Sequence, residues 1–191
     1  MVLGHHLTLS TYGFWLPNDP RGSWSEYVGS QALLRFGRAT RVHTRRSVAD
    51  QPHDHRARGE AKTRLRYPPV RLTGVQARAV ARGFAKVIHK TGIAVWACAI
   101  LPEHLHLVLA RHRYPIEQVA NLLKGEATRQ LVQEKRHPFQ HLASATDRLP
   151  TIWGRGVWKV YLNSEEAILR SIDYVRNNPL KEANRFRVGL S

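Results

Sequence analysis

Cysteine is almost absent from this chain of 191 residues: Cys98 stands alone. One thiol cannot close an intrachain disulfide, and no cysteine-based zinc site can be built from it. Long apolar runs are missing too. The longest, Ile93 to Leu101, has nine residues and is too short to span a bilayer. The first ten residues, MVLGHHLTLS, contain neither a charged leader nor an apolar h-region, so they do not read as a signal peptide. Acidic residues are scarce, with 14 Asp and Glu against 30 Lys and Arg, which leaves a net charge of +16. No long basic amphipathic helix of the membrane-surface kind stands out. No GxxxxGK phosphate loop occurs either. What remains is a soluble, cytoplasmic protein whose partner is a polyanion, because each neutralised phosphate releases counterions and adds affinity. A hydrophobic content of 42% fits a folded chain with a real core.

HHLTLST (5–11) alternates polar and apolar residues as a half-buried strand does, with His6, Thr8 and Ser10 on one side. Pro17, Asn18, Asp19, Pro20, Arg21 and Gly22 follow as a turn-rich stretch. Between residues 35 and 71, eleven Lys or Arg meet three acids. Large apolar residues are few there, so about 22–71 reads as a basic surface insertion in a single domain spanning 1–191, ordered on binding. Val80, Phe84, Val87 and Ile88 recur at helical spacing, and Gly92 suits a C-terminal cap. IAVWACAI (93–100) and HLHLVLA (104–110) read as two strands around a Pro102-Glu103 turn. A helix from Pro115 to about Lys135, a strand at 157–162 and a helix capped by Asn163, with Glu166 as its capping-box partner, complete the chain. This order suits an α+β sandwich: an antiparallel sheet with helices on one face and the other face open.

His104 and His106 raise the chemical question, since leucine would fill either place in a leucine-rich strand. Alternation sends both imidazoles to the face opposite Leu105, Leu107 and Leu109. Two imidazoles at that spacing can converge on one metal ion, supplying two of the ligands a catalytic site needs. His5-His6 and His53-Asp54-His55 have similar letters but read as surface groups. A histidine-triad hydrolase would need a third histidine where Val108 stands. A 2H phosphoesterase would need a second His-x-Thr or His-x-Ser strand, and His104-Leu105-His106 is not one. In the last helix Ile168, Ile172 and Val175 form the buried stripe, and Tyr174 lies off it. Asn178, four residues on, is about 40° away on the wheel, so a phenol and an amide oxygen face one spot. Pro179 biases Asn178 toward a kink or a helix end.

PEHLHL (102–107) resembles the His-hydrophobe-His signature of HUH endonucleases. YVRNNPLKEA (174–183) resembles the tyrosine helix of single-tyrosine HUH transposases, in particular the branch associated with repetitive extragenic palindromes. TYGFWLPNDPRGSW (11–24) is similar to members of that branch as well. The resemblance implies a ferredoxin-like α+β sandwich with an HUH endonuclease core. It implies a divalent metal, Mg2+ or Mn2+, held by His104, His106 and Asn178, with Tyr174 as the nucleophile. The implied activity is nicking and strand transfer on single-stranded or hairpin DNA through a 5′-phosphotyrosine. The implied assembly is a monomer or a homodimer; in dimeric relatives the tyrosine helix completes the partner's site, so Tyr174 could act in trans. Replication initiators of that superfamily often carry a second tyrosine where Asn178 stands here.

For DNA contact the sequence offers His6, which could also serve as a base, Arg45 and Arg46 in the basic segment, and Arg155 and Lys159 beside the last strand. Trp15, Trp153 and Trp158 could stack on bases, although packing suits each of them better. Tyr161 is a second phenol to consider. A DNA-binding protein of the same fold without catalysis is the alternative reading.

Overall fold

The elements run β1 (Gly4–Ser10), α1 (Gln31–Leu34), α2 (His55–Thr63), α3 (Gly74–Thr91), β2 (Val95–Ile100), β3 (His104–Ala110), α4 (Ile116–Gln133), β4 (Trp158–Leu162) and α5 (Glu165–Val188). The computed structural model describes residues 1–44, 48, 51–143 and 148–188, with 180–188 described through the backbone alone. The chain divides into two compact units, Met1–Ser10 with Arg71–Ser191, and Thr11–Val70.

The first unit is built on one antiparallel sheet in the order β2-β3-β1-β4. Taken with α3 and α4, the chain order is βαββαβ, the ferredoxin-like arrangement that the family resemblance implied. Leu7 and Leu9 of β1 pair with Leu107 and Leu105 of β3, so their side chains share one face and are fully buried. Each such leucine removed from water contributes about 1.5–3 kcal/mol. The helices α3 and α4 pack on each other and on the sheet, α3 against β2 and α4 against β1. A Cβ at Gly83 would lie 2.7 Å from Ala127 Cα, so the two helix backbones approach where α3 carries no side chain. Thr73 and Gln76 form a capping box at the start of α3, and Gly92 ends it with φ 69°.

The other face is less open than the alternation implied. Across it lies α5, whose Val175, with Ile168 and Ile172, packs on Ala97, Ala99, Val108 and Leu162. The stripe on α5 is the expected one; its destination is the histidine face. Ser164, not Asn163, caps this helix, its hydroxyl accepting from Ala167 N at 3.2 Å. The cap thus sits one residue later than the capping-box pattern suggests. The helix runs through Pro179, so Asn178 is a helical residue and not a terminal one.

The second unit, Thr11–Val70, has a small core of Leu16, Leu33 and Ala61, with Val28, Phe36 and Leu65 packed on it. A basic, apolar-poor segment thus gathers a core of its own. Asp19 organises it: fully buried, its carboxylate accepts from Arg21 Nε at 2.7 Å, Arg21 Nη2 at 2.8 Å and Arg58 Nε at 3.0 Å. The Arg21 guanidinium lies 3.9 Å from the Trp15 ring centroid. Trp15 Nε1 in turn donates to Gly22 O, so this tryptophan is engaged in packing. Asp54 caps α2 through Ala57 N, and the neighbouring His55 is exposed, in line with a surface reading of His53-Asp54-His55. Arg45 and Arg46 lie outside the described residues. Among the described residues no helix is long and apolar enough to cross a membrane.

Candidate active site

Cross-strand register assembles the site. Thr8 of β1 stands opposite His106 of β3, and His6 stands opposite Val108, so His6, Thr8, His104 and His106 share one sheet face. His106 Nδ1 lies 3.1 Å from His6 Nε2 and 3.0 Å from Thr8 Oγ1. The His104 and His106 rings meet edge-on with centroids 4.9 Å apart. All three imidazoles are buried, His106 at 4% exposure. His6 therefore departs from the surface reading: β4 and α5 flank β1's polar face and enclose it. Trp158 of β4 packs edge-on to His6 at 5.5 Å.

From α5, the Tyr174 ring comes to 5.4 Å from that of His106 and 5.6 Å from that of His6. Tyr174 remains 41% exposed, so the phenol bridges solvent and the buried histidines. One turn later Asn178 is buried, and its Nδ2 has no hydrogen-bond partner among the described residues. That Nδ2 is a donor, costly to bury unpaired unless an acceptor from outside the described residues meets it, and it is not itself a metal ligand.

Burial pushes the His6 and His104 imidazoles down to about 4. His106 falls to about 2, through burial first and then the neighbouring His104 and His6. At neutral pH all three are uncharged, the form in which imidazole binds metals. The donor set also fits a cation by its hydrogen bonding. His106 Nε2 is buried without a hydrogen-bond partner, while Nδ1 is anchored on Thr8 and His6. Metal-binding histidines commonly show this division between an open and an anchored nitrogen. Among the described residues no cluster of three His, Cys, Asp or Glu side chains could hold a metal ion. The orphaned nitrogen that suits one is His106 Nε2.

The remaining expected residues divide. Arg155 is exposed on a turn held in three ways. Gly154 N donates to Ser10 O at 2.9 Å, and the Lys124 ammonium donates to Gly154 O and Gly156 O at 2.9 and 2.6 Å. Since Ser10 pairs with His104, this turn borders the His104 end of the sheet. Lys124, pushed down to about 8 by burial, was not foreseen. Its position on α4 announces nothing; only the two carbonyls that meet it reveal the role. Trp153 is buried and donates to Lys124 O and Thr128 Oγ1, a packing role. Lys159 does not flank the site. It pairs in register with Leu7, which turns it to the leucine face, where it forms an ion pair with Glu117 of α4. Tyr161 stands opposite His5 on that same far face, which removes it as an alternative nucleophile for this site.

Thr8 is the other group the sequence did not single out for the site. Thr8→Val keeps its shape and removes the hydroxyl that steadies the His106 ring. We expect metal affinity to fall about 10- to 100-fold, the usual cost of losing such a partner. A Mn2+ titration would show this as a rightward shift; an unshifted curve would mean that His6 alone orients the ring.

Solved structures similar to this chain include a REP-associated tyrosine transposase bound to a REP hairpin. It shares 14% identity over 94% of this chain and 68% of that one, with a TM-score of 0.49. Another is a protein from Deinococcus radiodurans R1 described as a candidate transposase, at 15% identity over 93% and 91% of the two chains, TM-score 0.43. This chain resembles both in fold. No family model matches it, and neither does any curated protein. What the site can do follows from its own side chains.

Proposed function

We propose that the chain is a metal-dependent endonuclease and strand-transfer enzyme for single-stranded DNA, with Tyr174 as its nucleophile. The observation that carries this is a half-exposed phenol 5.4 Å, ring to ring, from a buried histidine pair in the same chain. His104, His106 and Asn178 would hold Mg2+ or Mn2+, which when bound polarises the scissile phosphate and neutralises developing charge. The Tyr174 phenol gives its proton to solvent, its oxygen attacks phosphorus, the P–O3′ bond breaks, and O3′ leaves as a hydroxyl on taking a proton from solvent. The product is a 5′-phosphotyrosyl strand, whose reversal on a new 3′-hydroxyl rejoins DNA without an external energy source.

With its Nε2 lone pair committed to a ligand, His106 carries its proton on Nδ1 and donates it to Thr8 Oγ1 and His6 Nε2. His6 then accepts at Nε2 and keeps its own proton on the other nitrogen. In that state its ring lies 5.6 Å, centroid to centroid, from that of Tyr174 and carries no free lone pair with which to remove the phenol's proton. Its depressed basicity points the same way.

A buried pair reached past one exposed phenol favours a flexible single strand or a hairpin's unpaired arm over a duplex. The excess of Lys and Arg supplies the attraction. The test is incubation with hairpin-bearing single-stranded DNA and Mn2+, followed by denaturing electrophoresis. The reading requires a covalent protein–DNA adduct that a chelator prevents; binding without an adduct would support a non-catalytic DNA-binding protein.

A further inference from the structure

The outer strand of the sheet carries an irregularity beside the histidine face. β4 pairs with β1 from Leu162 opposite Gly4 to Trp158 opposite Thr8. Continued in that register, Gly156 would meet Ser10. Instead Gly154 N donates to Ser10 O at 2.9 Å. Arg155, Gly156 and Val157 thus stand where β1 has only Leu9, and the outer strand bulges. Gly156 permits the bend, with φ 68°. Carbonyls in a bulge lose their ladder donors, and here α4 supplies a replacement. The half-buried Lys124 ammonium donates to Gly154 O at 2.9 Å and to Gly156 O at 2.6 Å, one on each side of Arg155. Trp153 Nε1 donates back to Lys124 O at 3.1 Å and to Thr128 Oγ1 at 3.0 Å. Burial makes this ammonium costly, and among the described residues no carboxylate offsets the cost. What it secures is the residue between the two carbonyls. Arg155 is exposed and has no ion pair among the described residues, whereas Lys159 and Arg170 are each held by a carboxylate. Ser10 pairs with His104 on its other side, so the bulge lies two interstrand spacings, roughly 10 Å, from the His104 backbone.

We propose that this bulge receives the single-stranded arm of the DNA beside the histidine site, with Arg155 on one backbone phosphate and Lys124 as the positioning residue that holds Arg155 there. Bulges recur beside active sites because they re-aim a side chain that a regular strand would commit to one face. A guanidinium offers a planar fork that matches phosphate geometry. With both flanking carbonyls held, the Arg155 backbone is fixed before DNA arrives, which lowers the ordering cost of the contact. Such a contact positions the strand without reading its bases. The inference rests on DNA meeting the histidine face, as the proposed function does, but on no chemistry at Tyr174.

Binding to the full-length protein is measured in EDTA, where the proposed chemistry cannot proceed, with two fluorescein-labelled probes. One is a DNA hairpin with oligo-dT arms, the other the same hairpin with a blunt end. Arg155→Ala is expected to reduce the slope of log K against log salt by about 0.7 on the armed hairpin, one single-strand phosphate, and to leave the blunt hairpin's slope unchanged. At about 0.15 M salt that corresponds to a loss of roughly fourfold in affinity. Lys124→Met keeps the apolar stem and removes the ammonium. It should weaken armed-hairpin binding about two- to fourfold in the wild type and hardly at all once Arg155 is alanine, since it acts through that residue. Hydrogen exchange in Lys124→Met should quicken at 155–157 and leave the rest of the sheet protected. An unchanged slope in Arg155→Ala, or equal losses on both hairpins, overturns the site. Equal effects of Lys124→Met in the two backgrounds, or lost protection throughout the sheet, overturn the positioning role. A missing covalent adduct in Mn2+ with the Arg155 dependence intact would count against the chemistry at Tyr174 alone; an adduct without that dependence would count against the bulge alone.

Discussion

Tyr174→Phe is expected to lower covalent adduct formation by about 10³-fold or more, since one oxygen is all that distinguishes a nucleophile from an inert ring. Phenylalanine keeps the ring packed against His6 and His106, so stability should change by no more than about 0.5 kcal/mol. Binding of hairpin-bearing single-stranded DNA should stay within about twofold, because phosphate contacts from Lys and Arg dominate affinity. Mass spectrometry of the nucleotide-linked peptide from the wild type should place the link on Tyr174. A link elsewhere would overturn the assignment. The geometry within one chain further predicts action in cis. Mixing Tyr174→Phe with His106→Ala protein should restore no activity, whereas a site completed by the partner's helix would recover part of it in mixed dimers.

Asp19→Ala should cost about 3–5 kcal/mol in the Thr11–Val70 unit, the largest stability effect expected from any exchange outside the leucine core. The carboxylate is inaccessible to solvent and receives three hydrogen bonds from two guanidiniums that are themselves mostly buried. Removing it strands two positive charges in a unit whose apolar core is small. Hydrogen exchange should therefore show faster opening of residues 11–44 with little change in the sheet. Unaltered protection would mean that the arginines find other partners. Burial pushes the Asp19 carboxyl up, but hydrogen bonds and charge from Arg21, with the charge of Arg58, outweigh it and hold the group below the ordinary carboxylate range. The stability it supplies is thus fully present above the unfolded carboxylate value, and is lost as pH falls through the lower folded one. Asp19→Asn should remove that acid limb from the unit's unfolding profile.

Alternation in two leucine-rich strands, helical spacing in three segments and turn chemistry were enough to read βαββαβ from the amino acids, because each is a local periodicity. The same alternation correctly put His104 and His106 opposite the leucines. It was silent on Lys159, placed beside the site only by its position on the last strand, because its face depends on register with β1, a pairing between residues far apart in sequence. His6 looked like a surface group for a related reason. Nothing near it in the sequence says that β4 and α5 will enclose it. The basic segment read as a surface insertion because its apolar residues are sparse; Leu16, Leu33 and Ala61 meet only through folding.

By itself the sequence determined the residue types and their local faces: two imidazoles on one side of a strand, and a phenol and an amide one turn apart on a helix. Tertiary structure alone decided that these faces confront each other, with Thr8 and His6 orienting His106 and α5 laid across the sheet. The reason is physical. Side-chain direction follows from local backbone geometry, whereas proximity between distant segments is set by which buried surfaces pack best, and that is a property of the whole fold.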